Sequence, residues 1–338
     1  MKIVIATGII PPEIGGPAQY AKNLADIWRK QGYSVSVHVF SRFNFLPTGL
    51  RHFVYFCSIL FDIAKSDFVL VLDTYSSALP ATIVSKLFGK KIILRTGGDF
   101  LWEFYVERTG DLVLLREFYP SINSGQVKFS FKEKIIFKLT KIILNGIDAI
   151  IWSTEWQKDI FMEPYTLQNQ KNFIVENYYG PRLPSYEPTK KNFIAFSRKL
   201  KWKHISMLRK VFGRGDISEL GCVLDTTSAE HSQFLEILEH SYAVIIASLG
   251  DISPNTILDA IRCQKPFILT KETGLYPRIK DIGIFADPKD ENDIAEKVLW
   301  LCDPKNYDAQ KKKVESFSFI HTWEDIAKEY LDVYKKIK

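Results

Sequence analysis

Residues 242–274 read YAVIIASLGDISPNTILDAIRCQKPFILTKETG, and the pattern of this stretch indicates the fold class of the protein. An apolar run rich in β-branched residues is followed by a loop, a helical segment and a second apolar run. This succession is the periodicity expected of a βαβ unit. The stretch therefore predicts an α/β protein with a parallel sheet, in which ligands bind at the carboxyl ends of the strands.

The loop within this stretch predicts a helix start that can bind an anion. Ser253 and Pro254 form a good pair of N-cap and first-turn residues, so the helix is expected to begin there. The backbone amides of Asn255 and Thr256 would then point outward. Free amides at a helix start attract anions such as phosphate.

Two carboxylates bracket the predicted helix start. Asp251 lies just ahead of it, and Asp259 lies within the helix in an otherwise apolar segment. One interpretation is a binding site in which both acids contact a ligand. The other is a pair of solvated acids, because helix starts favour acidic residues in any case. The stretch by itself leaves both interpretations open.

Length, composition and charge predict a two-domain globular protein. The chain has 338 residues, 46% of them hydrophobic, which suffices for two cores. Its 45 Lys and Arg against 39 Asp and Glu give a net charge of +6 that is spread along the chain. Because neither half forms a basic arm, a nucleic-acid partner is not expected.

The cysteines and the chain start favour a cytoplasmic location. The four cysteines show no C-x-x-C or Cys/His ligand spacing, which indicates buried, reduced thiols. A strand pattern begins at once after Met1 and leaves no room for a signal peptide. The most apolar stretches are interrupted by charged residues, so no membrane span is expected.

The opening segment predicts the first turn of a doubly wound sheet. Residues 3–7 form an apolar run, and a glycine-containing loop and a helical pattern follow. The glycines lack the G-x-G-x-x-G spacing, which argues against a dinucleotide cofactor. Gly15 and Gly16 precede Pro17 and offer bare backbone at a helix start, where a phosphorylated or sugar group could approach. The alternative is a tight turn that needs a positive φ.

A second candidate site follows the strand predicted at residues 91–96. Asp99 and Glu103 come just after that strand. Because open α/β sheets bind ligands at the carboxyl ends of their strands, both acids are site candidates. The alternative is that Asp99 caps a helix and that Glu103 lies in its first turn.

Residues 128–141 interleave five lysines with apolar residues around a single acid, Glu133. A basic amphipathic helix of this kind can lie on an anionic membrane surface. The alternative is a core helix with a lysine-rich solvent-exposed face. Peripheral contact with an anionic membrane is therefore one of two interpretations.

A proline-punctuated stretch ending at Pro188 predicts a linker between two domains. A strand pattern follows, and then seven Lys and Arg residues lie between residues 198 and 214 without any acid. Arg198 and Lys203 are among them. An Arg fork combined with a Lys point charge can clamp a diphosphate. The alternative, a solvated basic face, is expected to hold for most of the seven.

These motifs, in this order, resemble those of glycosyltransferase family 4, which has the GT-B fold. The similarity spans nearly the whole chain and is carried by PPEIGGPAQY at 11–20, GDFLWE at 98–103, SRKLKWK at 197–203 and the stretch 242–274. Asp251 and Asp259 keep the spacing of the family's E-x7-E motif. Arg198 and Lys203 keep the spacing of its R-x4-K motif.

The resemblance implies an α/β fold of two Rossmann-like domains that face each other across a cleft. Residues 1–178 would form the acceptor-side domain and residues 179–320 the donor-side domain, and a helix in 321–338 would pack back on the first. The implied activity is retaining transfer of a sugar from a UDP- or GDP-sugar to a glycan or lipid-linked acceptor, in cell-surface polysaccharide synthesis. No cofactor and no required metal are implied.

The resemblance also assigns roles to the candidate residues. Asp251 would contact the donor sugar and Asp259 the ribose hydroxyls. The remaining donor-binding residues would be Arg198 and Lys203 at the diphosphate, the amides of Asn255 and Thr256, and Gly15 and Gly16 from the other domain. The catalytic candidates are Asp251 and, from its position after the strand at 91–96 and not from the resemblance, Asp99. Glu103, which follows the same strand, is the candidate on the acceptor side.

The sequence departs from the family pattern in three places. Both acidic motif positions hold Asp where the family has Glu, and a family histidine after the strand at 91–96 is replaced by Gly97-Gly98-Asp99. The segment 204–241 is one strand–helix unit short. The two Asp positions and the shortened segment favour an alternative, a catalytically degenerate GT-B protein that binds a sugar nucleotide or a partner transferase without turnover.

Overall fold

The computed structural model describes residues 1–13, 15–195, 199–227 and 229–338. The chain forms two compact units. The first comprises Met1–Leu101, Lys128–Asn177 and His321–Lys338, and the second comprises Trp102–Val127 and Tyr178–Ile320. The segment Trp102–Val127 thus groups with the second unit, although it interrupts the first unit in the sequence.

The first unit is built on a parallel sheet. Within the described residues its six strands are β1 (Lys2–Thr7), β2 (Ser34–Val39), β3 (Phe68–Val71), β4 (Lys91–Thr96), β5 (Ala149–Trp152) and β6 (Asn172–Ile174). They lie in the order β2-β1-β3-β4-β5-β6, and every neighbouring pair is parallel. Strands β3 and β5 are buried along their whole length, which is why their sequences are continuous apolar runs.

The second unit is built on another parallel sheet. In the described part of the chain its five strands are β7 (Lys191–Ile194), β8 (Cys222–Asp225), β9 (Ala243–Ile246), β10 (Phe267–Thr270) and β11 (Ile284–Ala286). Their order is β11-β10-β9-β7-β8, again with parallel pairs. The pairing of β9 with β10 confirms the βαβ unit that residues 242–274 predict. The two parallel sheets confirm the α/β class.

Helices connect the strands and cover the sheets. In chain order they are α1 (Gly16–Lys30), α2 (Leu50–Ala64), α3 (Ala78–Leu87), α4 (Phe100–Thr109), α5 (Leu115–Asn123), α6 (Phe131–Gly146), α7 (Glu155–Tyr165), α8 (Ile205–Phe212), α9 (Gly215–Ser218), α10 (His231–Glu239), α11 (Asn255–Arg262), α12 (Tyr276–Ile279), α13 (Glu291–Cys302), α14 (Pro304–Glu315) and α15 (Trp323–Ile337). Short 3-10 helices span Phe40–Phe43, Asn169–Lys171 and Lys201–Lys203. Among the described residues, none of these helices combines the length and the apolar character that a membrane crossing requires.

The last helix, α15, packs within the first unit, as predicted. Thr322 and Asp325 form a capping box that fixes its start. The indole of Trp28 on α1 donates a hydrogen bond to the carbonyl of Ala327 at 3.3 Å. The buried apolar side of α15, which includes Ala327 and Tyr330, is therefore part of the core and joins this helix to the first unit.

All four cysteines are free thiols, but they are not all buried. Cys57 is exposed, so the expectation of burial is wrong for this residue. The reason is that α2 exposes apolar side chains, so an apolar segment does not imply burial there. Cys222 and Cys302 lie in contact, with their Sγ atoms 3.0 Å apart, and burial raises the pKa of Cys302 to about 12.

Candidate active site

Helix α11 begins next to the carboxyl end of β9, one residue later than predicted. Pro254, not Ser253, occupies the N-cap position, and no side chain caps the helix. The reason is the extended backbone of Pro254, with ψ at 114°, which makes its carbonyl the first acceptor of the helix. Asn255 and Thr256 are therefore the first two helical residues, and their amides have no acceptor within the helix. The predicted open helix start is present.

Asp251 carries the central ion pair of this region. Its Oδ2 accepts a hydrogen bond from Lys203 Nζ at 2.7 Å and another from Ser248 Oγ at 2.9 Å. The Asp251 side chain is 10% exposed, and that of Lys203 is 17% exposed. Oδ1 accepts no hydrogen bond from the described residues, so it remains available. The structure thus joins two residues that the sequence places in separate motifs.

The 3-10 helix Lys201–Lys203 is held so that Lys203 reaches Asp251. The Leu249 amide donates to the Trp202 carbonyl at 2.9 Å, which ties this helix to the loop after β9. The Lys203 ammonium lies 4.2 Å from the centroid of the Trp202 ring, a cation–π contact. The loop and the aromatic ring therefore fix the lysine. Arg198, the predicted partner of Lys203, lies outside the described residues.

The segment Trp102–Val127 packs directly against the loop that carries Asp251. The Leu115 amide donates to the Leu249 carbonyl at 3.0 Å. A Cβ added at Gly250 would lie 2.4 Å from Leu115 Cβ and 3.2 Å from Trp102 Cη2. Only glycine allows this close approach, because such distances are shorter than normal contacts between carbon atoms. Gly250 thus lets an insertion from the first half of the chain support the site.

Glu272 lies beside Asp251, although it was not predicted from the sequence as a site residue. Its carbonyl accepts the Asp251 amide at 2.8 Å, and Oε1 lies 3.2 Å from Arg116 Nη2. Oε2 is buried without a hydrogen-bond partner among the described residues. Burial raises the pKa of Glu272, and Arg116 opposes that shift. Its position just after β10 is the same signal that singled out Asp99, so the sequence did contain it.

Asp259 is buried on α11, where its carboxylate contacts Arg262. Its Oδ1 accepts a hydrogen bond from Arg262 Nη1 at 2.8 Å. The same guanidinium donates from Nε to the Pro181 carbonyl at 3.2 Å, so this pair also ties α11 to the segment that leads into β7. The Asp259 pair is therefore part of the packing of the second unit. Its predicted contact with ribose hydroxyls stays a prediction.

Gly15 and Gly16 lie at the start of α1, as predicted, but not in a tight turn with positive φ. Gly15 has φ 164°, which is extended backbone, and Gly16 is not among the glycines with left-handed backbone. The alternative based on positive φ is therefore wrong. A Cβ on Gly15 would lie 2.7 Å from Ile9 Cδ1, whereas nothing lies within 4 Å of one on Gly16. Bare backbone is thus open to approach at Gly16.

Asp99 makes the contact of a helix cap. It precedes α4, and its Oδ1 accepts the Leu101 amide at 3.0 Å. Glu103 lies in the first turn of the same helix. Asp99 belongs to the first unit and Glu103 to the second. The structure therefore shows the alternative for both acids, a helix cap at Asp99 and a first-turn position for Glu103. Their predicted roles in catalysis and acceptor binding stay predictions.

Helix α6 contains most of the lysine-rich stretch and has both a buried and an exposed apolar face. A capping box of Ser130 and Glu133 fixes its start, and Glu133 is fully buried. Ile136 is buried on the same side. Phe131, by contrast, is 80% exposed and Ile142 is 57% exposed. Helix α6 thus has the buried side and the lysine-rich exposed face of the core-helix alternative, and it also exposes apolar side chains, so membrane contact stays a prediction.

Helix α2 exposes a further apolar stripe in the first unit. Leu50, Phe53, Cys57 and Phe61 follow one another at helical spacing and are all exposed, with Phe61 at 74%. Most monomeric proteins keep such contiguous apolar surface small. We call these four residues the α2 stripe. No expectation from the sequence covered it.

A cavity of about 700 Å³ lies at the carboxyl ends of the strands in the first unit. Its walls come from the segments that follow β1 to β4 and from α2 and α6. The described residues that line it are Gly8, Ile9, Phe40, Ser41, Asn44, Thr48, Arg51, His52, Tyr75, Ser76, Phe100, Phe131, Lys132, Ile135 and Ile136. The cavity is thus aromatic and apolar on most sides, with cationic side chains and no acid among these residues.

Two α/β units with parallel sheets of six and five strands define a class: the fold is that of GT-B glycosyltransferases, as predicted. Sucrose-phosphate synthase from Thermosynechococcus elongatus matches with a TM-score of 0.68 and 13% identity over 99% of this chain and 98% of that one. Anabaena HepE in complex with UDP-glucose matches with 0.65 and 13% over 100% and 98%. Starch synthase IV from Arabidopsis thaliana, bound to ADP and acarbose, matches with 0.65 and 12% over 99% of both chains.

The sequence itself gives no closer assignment. No protein-family model and no curated protein matches the chain. At identities of 12–13%, the likeness to solved structures shows the fold alone. The particular activity has to be argued from the residues.

Proposed function

We propose that the protein is a retaining glycosyltransferase, which moves a sugar from a UDP- or GDP-sugar to a glycan or lipid-linked acceptor in cell-surface polysaccharide synthesis. The observation that carries the proposal is the largely buried ion pair of Lys203 and Asp251 in the loop region that leads to the open start of α11. The GT-B fold supports it, and one protein with this fold, HepE, binds UDP-glucose.

The geometry of the pair fits the junction of sugar and diphosphate in such a donor. The anomeric carbon and the nearer phosphorus are bonded to one shared oxygen, so groups that recognise them must be neighbours. Lys203 Nζ and Asp251 Oδ2 are 2.7 Å apart. Oδ1 of Asp251, which accepts no hydrogen bond from the described residues, would accept one from a sugar hydroxyl. The ammonium and the amides of Asn255 and Thr256 would hold the diphosphate.

The same groups suit the chemistry of donor cleavage. Departure of the nucleoside diphosphate increases negative charge on its phosphates and leaves positive charge on the sugar ring. Lys203 and the helix amides stabilise the first charge, with Arg198 as a further cation. The Asp251 carboxylate stabilises the second. With these groups in place, we propose that transfer requires neither a metal nor another cofactor.

A panel of nucleotide sugars tests the proposal. Thermal unfolding is measured with UDP- and GDP-sugars, because a ligand at 100 times its dissociation constant adds about 2.7 kcal/mol of stability. Donors that stabilise the protein are then assayed for transfer and for slow hydrolysis, with and without EDTA. We expect one base to be preferred and turnover to survive EDTA. A folded protein that neither binds nor turns over any donor contradicts the proposal.

The second candidate function is donor binding without turnover. Both acidic motif positions hold the shorter Asp, and the second sheet has five strands in the described residues, against six in the first. Stabilisation by a donor combined with neither hydrolysis nor transfer would favour it. Binding that is unchanged in Asp251→Ala would count against both functions.

Peripheral contact with an anionic membrane through residues 128–141 is a separate part of the proposal, and it would place the protein at the cytoplasmic face. The exposed Phe131 and the lysines of α6 support it. Sedimentation with vesicles tests it, and binding should rise with anionic lipid and fall with salt. The pair Lys134→Glu and Lys138→Glu should weaken binding, while the matched exposed pair Lys312→Glu and Lys313→Glu should not.

A further inference from the structure

The cavity in the first unit has no role in the donor site, and its size suits a ligand. At about 700 Å³ it falls in the range of about 300–1,000 Å³ that is usual for small-molecule sites. It lies at the carboxyl ends of parallel strands, the edge where open α/β sheets bind ligands. Its chemistry is also distinct, because the described residues that line it are aromatic, apolar, neutral polar or basic, and the nearest acids, Glu13 and Asp73, lie behind the lining residues Ser41 and His52.

Arg51 provides the polar end of the cavity. Its guanidinium donates only to neutral side chains, Asn44 Oδ1 at 3.3 Å and Thr48 Oγ1 at 3.1 Å, and lies 5.7 Å from the centroid of the Phe40 ring. Nε is buried without a partner, and no carboxylate in the described part of the chain forms an ion pair with Arg51. A partly buried cation without a counter-ion favours an anionic ligand.

His52 lies next to Arg51 and adds a neutral hydrogen-bonding group. Its ring packs against Phe40 at 4.8 Å and Tyr75 at 5.9 Å between centroids. Burial lowers the pKa of His52, and the Arg51 charge lowers it further, while Asp73 opposes both. Nε2 is buried without a partner among the described residues. In the tautomer that carries its proton on Nε2, the neutral imidazole can donate a hydrogen bond to a phosphate ester without adding a second charge.

The opposite wall of the cavity is apolar and continues to the surface. Phe131 and Ile135 of α6 line the cavity, and both are exposed, Phe131 at 80%. A ligand whose polar end lies at Arg51 could therefore extend an apolar chain along α6. Inorganic phosphate alone would leave most of this volume empty, and a fully polar sugar would leave the apolar wall without contacts.

We propose that this cavity binds a phosphate or diphosphate ester of a long apolar chain, with its anion at Arg51 and its chain along Phe131 and Ile135. The inference rests on the proposed function in one respect: such an ester would be the lipid-linked acceptor. The choice of ligand follows from a cation without a counter-ion at one end and an exposed apolar wall at the other.

Binding of dodecyl phosphate below its critical micelle concentration, measured by calorimetry on the full chain, tests the proposal. We expect one molecule to bind roughly tenfold or more tightly than inorganic phosphate, UMP or the uncharged dodecyl maltoside. The Arg51→Gln change should weaken binding by roughly tenfold or more, since it removes a charge-assisted bond. The exposed neighbour Arg42 is the matched control, and Arg42→Gln should bind as the wild type does.

A second pair of variants decides the question if Arg51→Gln does not fold. Ile135→Glu puts a negative charge on the cavity wall and should abolish dodecyl phosphate binding. Ile83→Glu, at a similarly exposed apolar position of α3 that does not line the cavity, should leave it intact. Equal binding of the uncharged detergent, equal binding of inorganic phosphate or UMP, or full binding by folded Arg51→Gln or Ile135→Glu would each overturn the proposal.

Thermal shifts with UDP-glucose on the same variants separate this inference from the proposed function. If dodecyl phosphate binds in an Arg51-dependent way while no nucleotide sugar binds or reacts, the cavity site stands and the transferase function fails. If a donor turns over while dodecyl phosphate does not bind, the cavity inference fails alone. Donor shifts are expected to be unchanged in Arg51→Gln and Ile135→Glu.

Discussion

The carboxyl ends of the strands carry contrasting groups in the two units. In the second unit, Lys203 and Asp251 satisfy each other at 2.7 Å, and Ser248 holds the same carboxylate oxygen. In the first unit, Arg51 lines a cavity of about 700 Å³, and its hydrogen bonds to described residues go to the neutral side chains of Asn44 and Thr48. The carboxyl edge of the sheet thus carries an ion pair in the second unit and an open cavity in the first. We call the edge with Lys203 and Asp251 the paired edge and the edge with Arg51 the open edge.

The difference indicates what each edge can recognise. A paired ammonium and carboxylate offer both signs of charge at fixed positions, which suits a polar ligand with an anionic part next to hydroxyl groups. An arginine that forms no ion pair within the described residues, in a cavity lined largely by aromatic side chains, offers a positive charge next to a large apolar area. Such a site suits an anion attached to an apolar chain.

Asparagine at position 251 tests whether the paired edge holds the sugar. Asp251→Asn keeps the size of the side chain and removes its charge. We expect kcat to fall roughly 100- to 1,000-fold, or about 2.7–4 kcal/mol, as for the loss of one group aimed at the transition state. Donor-dependent turnover measures the effect. Asp281→Asn, at an exposed position of the same unit, should keep full activity, and wild-type kcat in Asp251→Asn would remove the paired edge from the mechanism.

Lys265, a buried cation that forms no ion pair within the described residues, tests whether burying such a charge costs stability. It is 1% exposed, and its Nζ donates to the Tyr186 carbonyl at 2.6 Å. Burial lowers the pKa of Lys265 to about 8 from 10.5. The unfolded chain therefore binds more protons between pH 8 and 10.5, and stability rises with pH across that window. We expect Lys265→Met to remove a pH-dependent term of about 3 kcal/mol.

Chemical denaturation of both proteins from pH 7 to 10.5 measures this term. The wild type should gain stability relative to Lys265→Met as the pH rises. Lys280→Met, at an exposed position, should run parallel to the wild type. If the difference in the free energy of unfolding between Lys265→Met and the wild type does not change with pH, the buried charge of Lys265 does not destabilise the folded protein. The contrast between the two edges would then need another physical basis than burial of charge.

Periodicity alone was enough to predict most of the fold. The β-branched runs on both sides of Asp251 specify neighbouring parallel strands because each run is buried on both faces. The return of the last helix to the first unit, by contrast, was implied by the family resemblance. The start of α11 was misplaced by one residue, because Ser253 has the better capping propensity while the extended backbone of Pro254 decides the start.

The candidate sites were harder to predict because their parts are distant in sequence. Lys203 and Asp251 are 48 residues apart, and only family resemblance grouped them. The cavity combines Phe40, Arg51 and Phe131, which no short motif connects. Nothing in a local pattern indicates that α5 would pack on the loop containing Gly250. Contacts of this kind depend on the tertiary arrangement and not on local propensity.

Alanine at position 250 tests whether the Trp102–Val127 segment holds the paired edge in place. Because Leu115 Cβ is fixed by its own backbone, it cannot move away from a new Cβ at 2.4 Å without a shift of the segment. We expect Gly250→Ala to lower the free energy of unfolding by about 1–3 kcal/mol, as overpacking does. Urea denaturation measures it. Gly146→Ala meets only Thr82 Cγ2 at 3.8 Å and should not destabilise, so equal effects of the two changes would contradict this packing.

Glu272→Gln has the smallest expected effect. It tests whether the paired edge also contains a carboxylate whose burial lowers the stability of the folded protein. Burial raises the pKa of Glu272 in the folded protein above its value of 4.5 in the unfolded chain, although Arg116 opposes the shift. The stabilising contribution of this group is therefore complete below pH 4.5 and is lost as the pH rises through the folded pKa. Glu272→Gln should then be more stable than the wild type at pH 7, and this advantage should vanish at pH 4. Thermal unfolding at both pH values measures it, with the exposed Glu219→Gln as control. A variant that is less stable at pH 7 would mean that the Arg116 contact outweighs burial, and the paired edge would then be fully neutralised before any ligand binds.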